Sequence, residues 1–202
     1  MIILRSVCSN AVLMISLVLP TAALVLPTEA LAQQPLPAEG DESQLLAILN
    51  SDAELFDKAK ACQRLAIIGT SKSVPVVVKL LADPGLSHYA RTALEANPSV
   101  EVDKAFREAL GELKGRQLVG VINSVATRKD RQSVDALVSL AAGDDNEVAA
   151  AAVSALGAFA TPESISAVQQ VLTDKPSLRV TAADACLTAA DWLLLELSLI
   201  HI

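Results

Sequence analysis

The feature that most constrains this chain is an internal repeat of about thirty residues. Apolar segments with helical spacing open near Leu45, Val74, Asp103, Val134 and Ile165, so successive openings are 29, 29, 31 and 31 residues apart. A turn and a second apolar segment follow each one, and these second segments read AKACQRLAIIG, SHYARTALEA, LVGVINSVAT, VAAAAVSALGAF and RVTAADACLTAA. A unit this short buries its apolar face only by stacking on its neighbours. The chain is therefore predicted to be all-α, an α-α superhelix (α-solenoid) of about five helix pairs over residues 43–191.

The composition agrees with helices that pack closely through small side chains. Hydrophobic residues make up 52% of the chain and aromatic residues only 2%, so the apolar content is Ala, Leu, Val and Ile. In the fourth unit Val148, Ala152, Ala155, Leu156 and Phe159 share one stripe of a 3.6-residue helix. Most of the helices also carry charges on their other face, which a lipid environment tolerates poorly. The pattern favours a repeat protein over a membrane bundle.

The N-terminal residues 1–32 are predicted to be a secretory signal peptide. The uncharged stretch 11–26 is shorter than the roughly 20 residues that a spanning helix needs, and Pro20 interrupts it. Ala30–Leu31–Ala32 places small residues before the expected cleavage site, although an uncleaved anchor is the alternative. Residues 33–42 are predicted to be a flexible linker. We therefore expect export to the periplasm or the outside of a bacterium, with no stable membrane span after cleavage.

The C-terminal residues 192–202 are predicted to be a non-native or truncated tail. After Ala190 the pattern changes to DWLLLELSLIHI, although a solenoid needs a polar terminal helix to cover its last apolar surface. Residues 197–202 resemble the translation of a sequencing-library adaptor. The alternative is a genuine hydrophobic tail that docks on the fifth unit. In either case we expect that the native chain could continue into further repeats or another domain.

The sequence predicts no catalytic residue, no metal site and no cofactor, so the protein is expected not to be an enzyme. Cys62 and Cys186 lie four repeat steps apart, and steps of about 8–10 Å separate them far beyond the ~7 Å between Cα atoms that a disulfide needs. Both are expected to be free, buried thiols. His88 is the only histidine before the tail, so a transition-metal site lacks its minimum ligand set. Neither a nucleophile elbow nor a phosphate-binding glycine loop is found.

Charge is unevenly distributed along the chain. The net charge of −7 argues against nucleic acid as the main partner, because phosphate binding needs a concentrated positive field. Residues 102–131 hold seven basic and four acidic groups, whereas residues 133–175 hold one basic and six acidic groups. This division could orient a charged protein partner, with ordinary solvated helix faces as the alternative.

Three runs carry a resemblance to a known family: DKAKACQRLAIIGT (57–70), LSHYARTALE (86–95) and LKGRQLVGVINSVATRKD (113–130). They resemble HEAT-type repeats, related to the short HEAT-like repeats of phycobilisome lyases, and are similar to secreted HEAT-repeat proteins of planctomycete-like bacteria. The resemblance covers residues 45–190. It implies a right-handed superhelix whose second helices line a concave binding surface, and it implies no particular activity. The charge-rich first helix of the third unit, residues 103–113, departs from the family pattern.

These observations predict a non-enzymatic protein–protein interaction scaffold that is exported to the bacterial cell envelope. Two alternatives remain: a lyase-like accessory protein for a cofactor or chromophore, and the HEAT-repeat arm of a longer, truncated enzyme. Export and the shortage of aromatic side chains that could sandwich a flat ring argue against the first. The partner-binding residues, expected on the concave surface of the solenoid, are Gln63, Arg64, His88, Arg91, Asn123 and Arg128.

Overall fold

The computed structural model describes residues 42–200, with side chains described over 42–195. The described helices belong to one compact unit, Pro37–Ile202. The predicted signal peptide (1–32) and nearly all of the predicted linker (33–42) lie outside the described residues.

The described residues form ten α-helices and no strand. Three short 3-10 segments, Val78–Ala82, Arg131–Ser133 and Pro176–Leu178, lie beside the helices of the second, fourth and fifth pairs. The helices, in pairs, are α1 (Glu42–Leu49) and α2 (Leu55–Ile68), α3 (Val74–Val77) and α4 (Ser87–Ala96), α5 (Val100–Glu112) and α6 (Gly115–Arg128), α7 (Val134–Ala142) and α8 (Asn146–Phe159), and α9 (Pro162–Asp174) and α10 (Arg179–Ile200).

The pairs stack in chain order. Each second helix packs on the second helix of the next pair, from α2 on α4 through to α8 on α10. The first helices form a parallel row in which α3 contacts α5, α5 contacts α7 and α7 contacts α9. The predicted all-α solenoid of five helix pairs is confirmed, because every repeat contacts its sequence neighbours and the apolar faces of all five meet in one core.

Local capping explains where several helices begin. The Asp145 carboxylate accepts hydrogen bonds from the backbone N–H groups of Glu147 and Val148 and so caps α8. A reciprocal pair of hydrogen bonds between Thr161 and Ser164 caps α9, with Pro162 in its first turn. These caps fix the turn before α8 and the turn before α9, and with them the position of the last two pairs.

The core is built from small and branched aliphatic side chains. The predicted stripe of the fourth pair is confirmed, since Val148, Ala152, Ala155, Leu156 and Phe159 are all buried. Close approach of α8 and α10 depends on Gly157, where a Cβ atom would lie 2.6 Å from the carbonyl oxygen of Ala185. The absence of bulky residues at this contact accounts for the aromatic-poor composition.

Helix α5 packs as tightly as its neighbours despite its charges. It buries five apolar residues on one stripe and leaves its ionised groups on the opposite side. The departure from the family pattern in residues 103–113 therefore affects the surface of α5 and not its core face. The buried residues are Val102, Ala105, Phe106, Ala109 and Leu110.

Helix α10 continues without a break through the predicted boundary at residue 191. The Lys129 ammonium lies 3.9 Å from the centre of the Trp192 ring, in a cation–π contact that joins the start of the predicted tail to the end of α6. Within residues 42–200, none of the helices combines the length and the apolar character needed to span a bilayer.

Candidate functional site

The second helices present one exposed position per repeat at equivalent places. Gln63, Thr92, Asn123, Ser154 and Leu187 are all exposed and are 29, 31, 31 and 33 residues apart. They lie on α2, α4, α6, α8 and α10, which pack side by side in that order. We call the polar part of this row, Gln63, Thr92, Asn123 and Ser154, the second-helix face.

Three of the six predicted partner-binding residues lie on or beside this face. Gln63 and Asn123 occupy equivalent positions in the first and third repeats. His88 is exposed one turn before Thr92 on α4, and its ring packs edge-on against Tyr89. Gln63 and Asn123 carry no charge, so this part of the surface is polar without being strongly charged.

Arg64 has to be removed from the expected surface. Only 8% of the residue is exposed, and it lies among the buried residues of α2. The outward stripe of α2 contains Phe56, Lys60 and Gln63, so a residue one step further along the helix turns about 100° towards the packed side. The sequence pattern does not reveal this burial, because arginine side chains are mostly exposed in folded proteins.

Arg91 is a contact between the second and third repeats. Its guanidinium donates to the carbonyl oxygen of Gly120 at 3.1 Å and lies 3.8 Å from the Glu95 carboxylate. The Ser124 hydroxyl donates to the same carboxylate at 2.5 Å, which closes a small polar network between α4 and α6. A Cβ atom on Gly120 would lie 2.6 Å from the Arg91 Nε, so the glycine makes room for the guanidinium.

Arg128 is likewise occupied within the molecule. From the last turn of α6 it donates to the carbonyl oxygen of Asn97 at 2.7 Å and to that of Ser99 at 3.3 Å. Its Nε also forms an ion pair with Asp103 at 2.5 Å. These contacts hold the turn between α4 and α5, where the guanidinium adds donors for several backbone carbonyl groups. Arg91 and Arg128 thus join repeats together, and the side chains left to meet a partner are Gln63, His88 and Asn123.

Two open grooves lie elsewhere on the molecule. One, of about 240 Å³, lies between first helices and is lined by residues such as Val138, Ala167 and Gln170. The other, of about 500 Å³, lies at the turns near Thr70 and Pro98. Neither groove is lined by any of the six predicted residues.

The described part of the chain offers little reactive chemistry. Across the described residues no three His, Cys, Asp or Glu side chains come together in a way that could hold a metal ion. Cys62 and Cys186 are both free; Cys62 is fully buried and Cys186 is half-buried. Burial raises the pKa of the Cys62 thiol from 9.0 to about 11, because the apolar surroundings disfavour the thiolate. This cysteine is therefore a core residue and not a nucleophile.

Two comparisons with known proteins found a similarity to this chain. Residues 90–187, from within α4 to within α10, match the family model described as HEAT repeats, in agreement with the predicted repeats of this part of the chain. Among solved structures, the chain is similar to human deoxyhypusine hydroxylase in complex with glycerol. The two are 15% identical, with a TM-score of 0.46, and the match covers 76% of this chain and 75% of that one. No curated protein matches the sequence.

Proposed function

We propose that this chain is a non-enzymatic scaffold that binds a protein partner on its second-helix face. The observation that supports the proposal is the repetition of one exposed polar position on four neighbouring helices. Gln63, Thr92, Asn123 and Ser154 occupy structurally equivalent places, so an extended partner could cross several repeats and meet the same kind of side chain in each. Stacked repeats commonly use such extended surfaces for binding.

The proposal includes export of the protein to the bacterial cell envelope. Its support is the N-terminal sequence, in which an apolar stretch too short to span a bilayer precedes the small residues Ala30 and Ala32. Expression in a bacterium, fractionation of the periplasm and N-terminal sequencing test this part. We expect a mature chain that starts at Gln33, and an intact N-terminus in the cytoplasmic fraction would contradict it.

The binding surface is tested by paired arginine substitutions. Asn123→Arg and Gln63→Arg place a long cation on the second-helix face, whereas Ser139→Arg and Ser166→Arg place one on the exposed sides of α7 and α9. We expect the first pair to reduce capture of an envelope partner, identified by cross-linking and mass spectrometry, by tenfold or more for a central contact. The second pair should leave capture unchanged.

The result that would refute the surface is equal capture by all four variants. Circular dichroism at 222 nm serves as the folding control, since all four positions are exposed and the helical signal should not change. Because the second-helix face is nearly uncharged, capture should also depend only weakly on salt concentration.

A further inference from the structure

A groove with an apolar floor lies between α7 and α9, the first helices of the fourth and fifth repeats. We call it the α7–α9 groove; its two walls belong to adjacent repeats that contact each other. Its volume is about 240 Å³, which is below the roughly 300–1,000 Å³ of pockets that hold small molecules. The groove therefore has the size of a site for one long side chain. The floor consists of short aliphatic residues: Val138, Ala141, Ala142, Ala167 and Val171.

Two polar side chains of α9 line the same groove one helical turn apart. Gln170 and Asp174 are both exposed, and they continue the stripe of α9 that contains Ala167. The Asp174 carboxylate accepts a hydrogen bond from the Thr173 hydroxyl at 3.0 Å. Among the described residues it forms no ion pair. A carboxylate at the edge of an apolar groove is thus available to a cation from another molecule.

The charge around the groove is predominantly negative. Residues 133–175 hold six acidic groups and a single basic one, Lys175. Lys175 also lines the groove, but its ammonium donates to the backbone carbonyl oxygens of Ala141 and Gly143 at the end of α7. These carbonyl groups carry the negative end of the helix dipole, so they offset the positive charge of Lys175 locally. The groove therefore offers an apolar floor and a negative edge to one ligand.

We propose that the α7–α9 groove binds an arginine side chain from a basic segment of a protein partner. The aliphatic stem of an arginine packs on apolar surface while its charged head stays at the edge, as the floor and Asp174 require. The guanidinium is planar and holds its N–H donors in a fixed fork, so it can donate to the Asp174 carboxylate and the Gln170 amide oxygen together. The proposal goes beyond the scaffold function, because the groove lies between first helices and not on the second-helix face.

Titration of the full 202-residue chain, labelled with nitrogen-15, with the capped peptide acetyl-Ala-Arg-Ala-amide measures this contact by NMR. One side chain makes few contacts, so the dissociation constant should be on the order of 1 mM. The largest shifts are expected in the amides of residues 138–142 and 167–175. The same peptide with citrulline keeps the shape of the side chain but lacks its charge, and it should bind about tenfold more weakly. Equal binding of the two peptides, or shifts confined to other residues, would overturn the proposal.

Two variants test the carboxylate and the floor separately. Asp174→Asn should weaken binding of the arginine peptide about tenfold, whereas Asp52→Asn makes the same change at an exposed carboxylate of the first repeat and should leave it unchanged. Ala167→Leu fills the floor and should weaken binding by tenfold or more, with circular dichroism at 222 nm as the folding control. Equal affinity of Asp174→Asn and Asp52→Asn would overturn the proposal, since the attraction would then come from net charge alone.

The failure of this proposal can be told apart from the failure of the scaffold function. Asn123→Arg should bind the arginine peptide as the parent does, and Asp174→Asn should capture the envelope partner as the parent does, because each change lies in a different row of helices. Sedimentation equilibrium tests a second copy as the occupant. A parent chain that associates with itself, and loses that association in Asp174→Asn, would overturn the proposal of a separate partner.

Discussion

Replacement of Arg128 by alanine should destabilise the solenoid strongly, although the residue lies near the surface. The guanidinium donates to the carbonyl oxygens of Asn97 and Ser99, and its Nε forms an ion pair with Asp103. The Arg128 side chain is only 11% exposed and that of Asp103 27%, so water screens the pair only in part. Removal of the guanidinium leaves the Asp103 carboxylate without its cation and takes one donor from the carbonyl groups of Asn97 and Ser99. We expect the free energy of unfolding to fall by about 3 kcal/mol.

The assay is thermal and urea unfolding followed by circular dichroism at 222 nm. For a chain of this size a loss of about 3 kcal/mol corresponds to a fall of roughly 6–12 °C in melting temperature. Arg128→Lys should cost about half as much, because an ammonium keeps the charge but cannot reach the carbonyl groups and the carboxylate together. Arg131→Ala is the matched control, since Arg131 is exposed three residues further on and should change stability by less than about 0.5 kcal/mol.

An Arg128→Ala protein within about 0.5 kcal/mol of the parent would refute this reasoning. It would mean that water replaces the guanidinium at the turn between α4 and α5 without cost. The outcome also bears on the function. A large loss of stability in the absence of any partner would show that Arg128 stabilises the fold. A variant as stable as the parent would make Arg128 a candidate partner-binding residue again.

Two further predictions concern a helix cap and a buried thiol. Asp145→Ala should lower the free energy of unfolding by about 1 kcal/mol, because α8 loses its cap. The control is Asp144→Ala, one residue earlier and exposed, which should lower it by less than half of that amount. Equal urea midpoints for the two variants would contradict the capping role. The pKa of the Cys62 thiol is raised in the folded state to about 11. The thiol therefore ionises more readily in the unfolded chain than in the folded protein. As a result, the free energy of unfolding is unaffected by Cys62 ionisation below about pH 9 and declines as the pH rises towards 11. Urea titrations from pH 8 to 10.5 should show a steeper decline for the parent than for Cys62→Ala, and identical slopes would contradict the assignment.

The architecture could be predicted because repetition encodes it five times. The periods of 29 to 31 residues, the helical stripes and the turn residues agree with one another, so an error in one repeat is corrected by the next. The stripe of α8 is an example: residues such as Val148 and Leu156 had to be buried once the helix was placed. Burial that depends only on the spacing of apolar residues can therefore be predicted from the sequence.

The polar residues could be predicted only in part, since spacing does not say which neighbour a long side chain reaches. Gln63 and Asn123 fall on the outward stripe of their helices and are exposed as expected. Arg91 and Arg128 depend on contacts between repeats, such as the space that Gly120 leaves for the Arg91 guanidinium.

The contacts between stacked repeats also change how the uneven distribution of charge along the chain should be interpreted. Residues 102–131 contain seven basic side chains, yet Arg107 lies 2.6 Å from Asp130, Arg128 is held by Asp103, and Lys129 donates to the carbonyl oxygen of Ala158. These cations neutralise carboxylates or the ends of helices within the solenoid, where they act at short range. Three of the seven basic side chains are thus engaged within the solenoid, whereas Lys114, Arg116 and Arg131 are exposed. The proposed scaffold function therefore rests on side chains that the repeats do not use for stacking, and the second-helix face supplies neutral polar ones in each of the first three repeats.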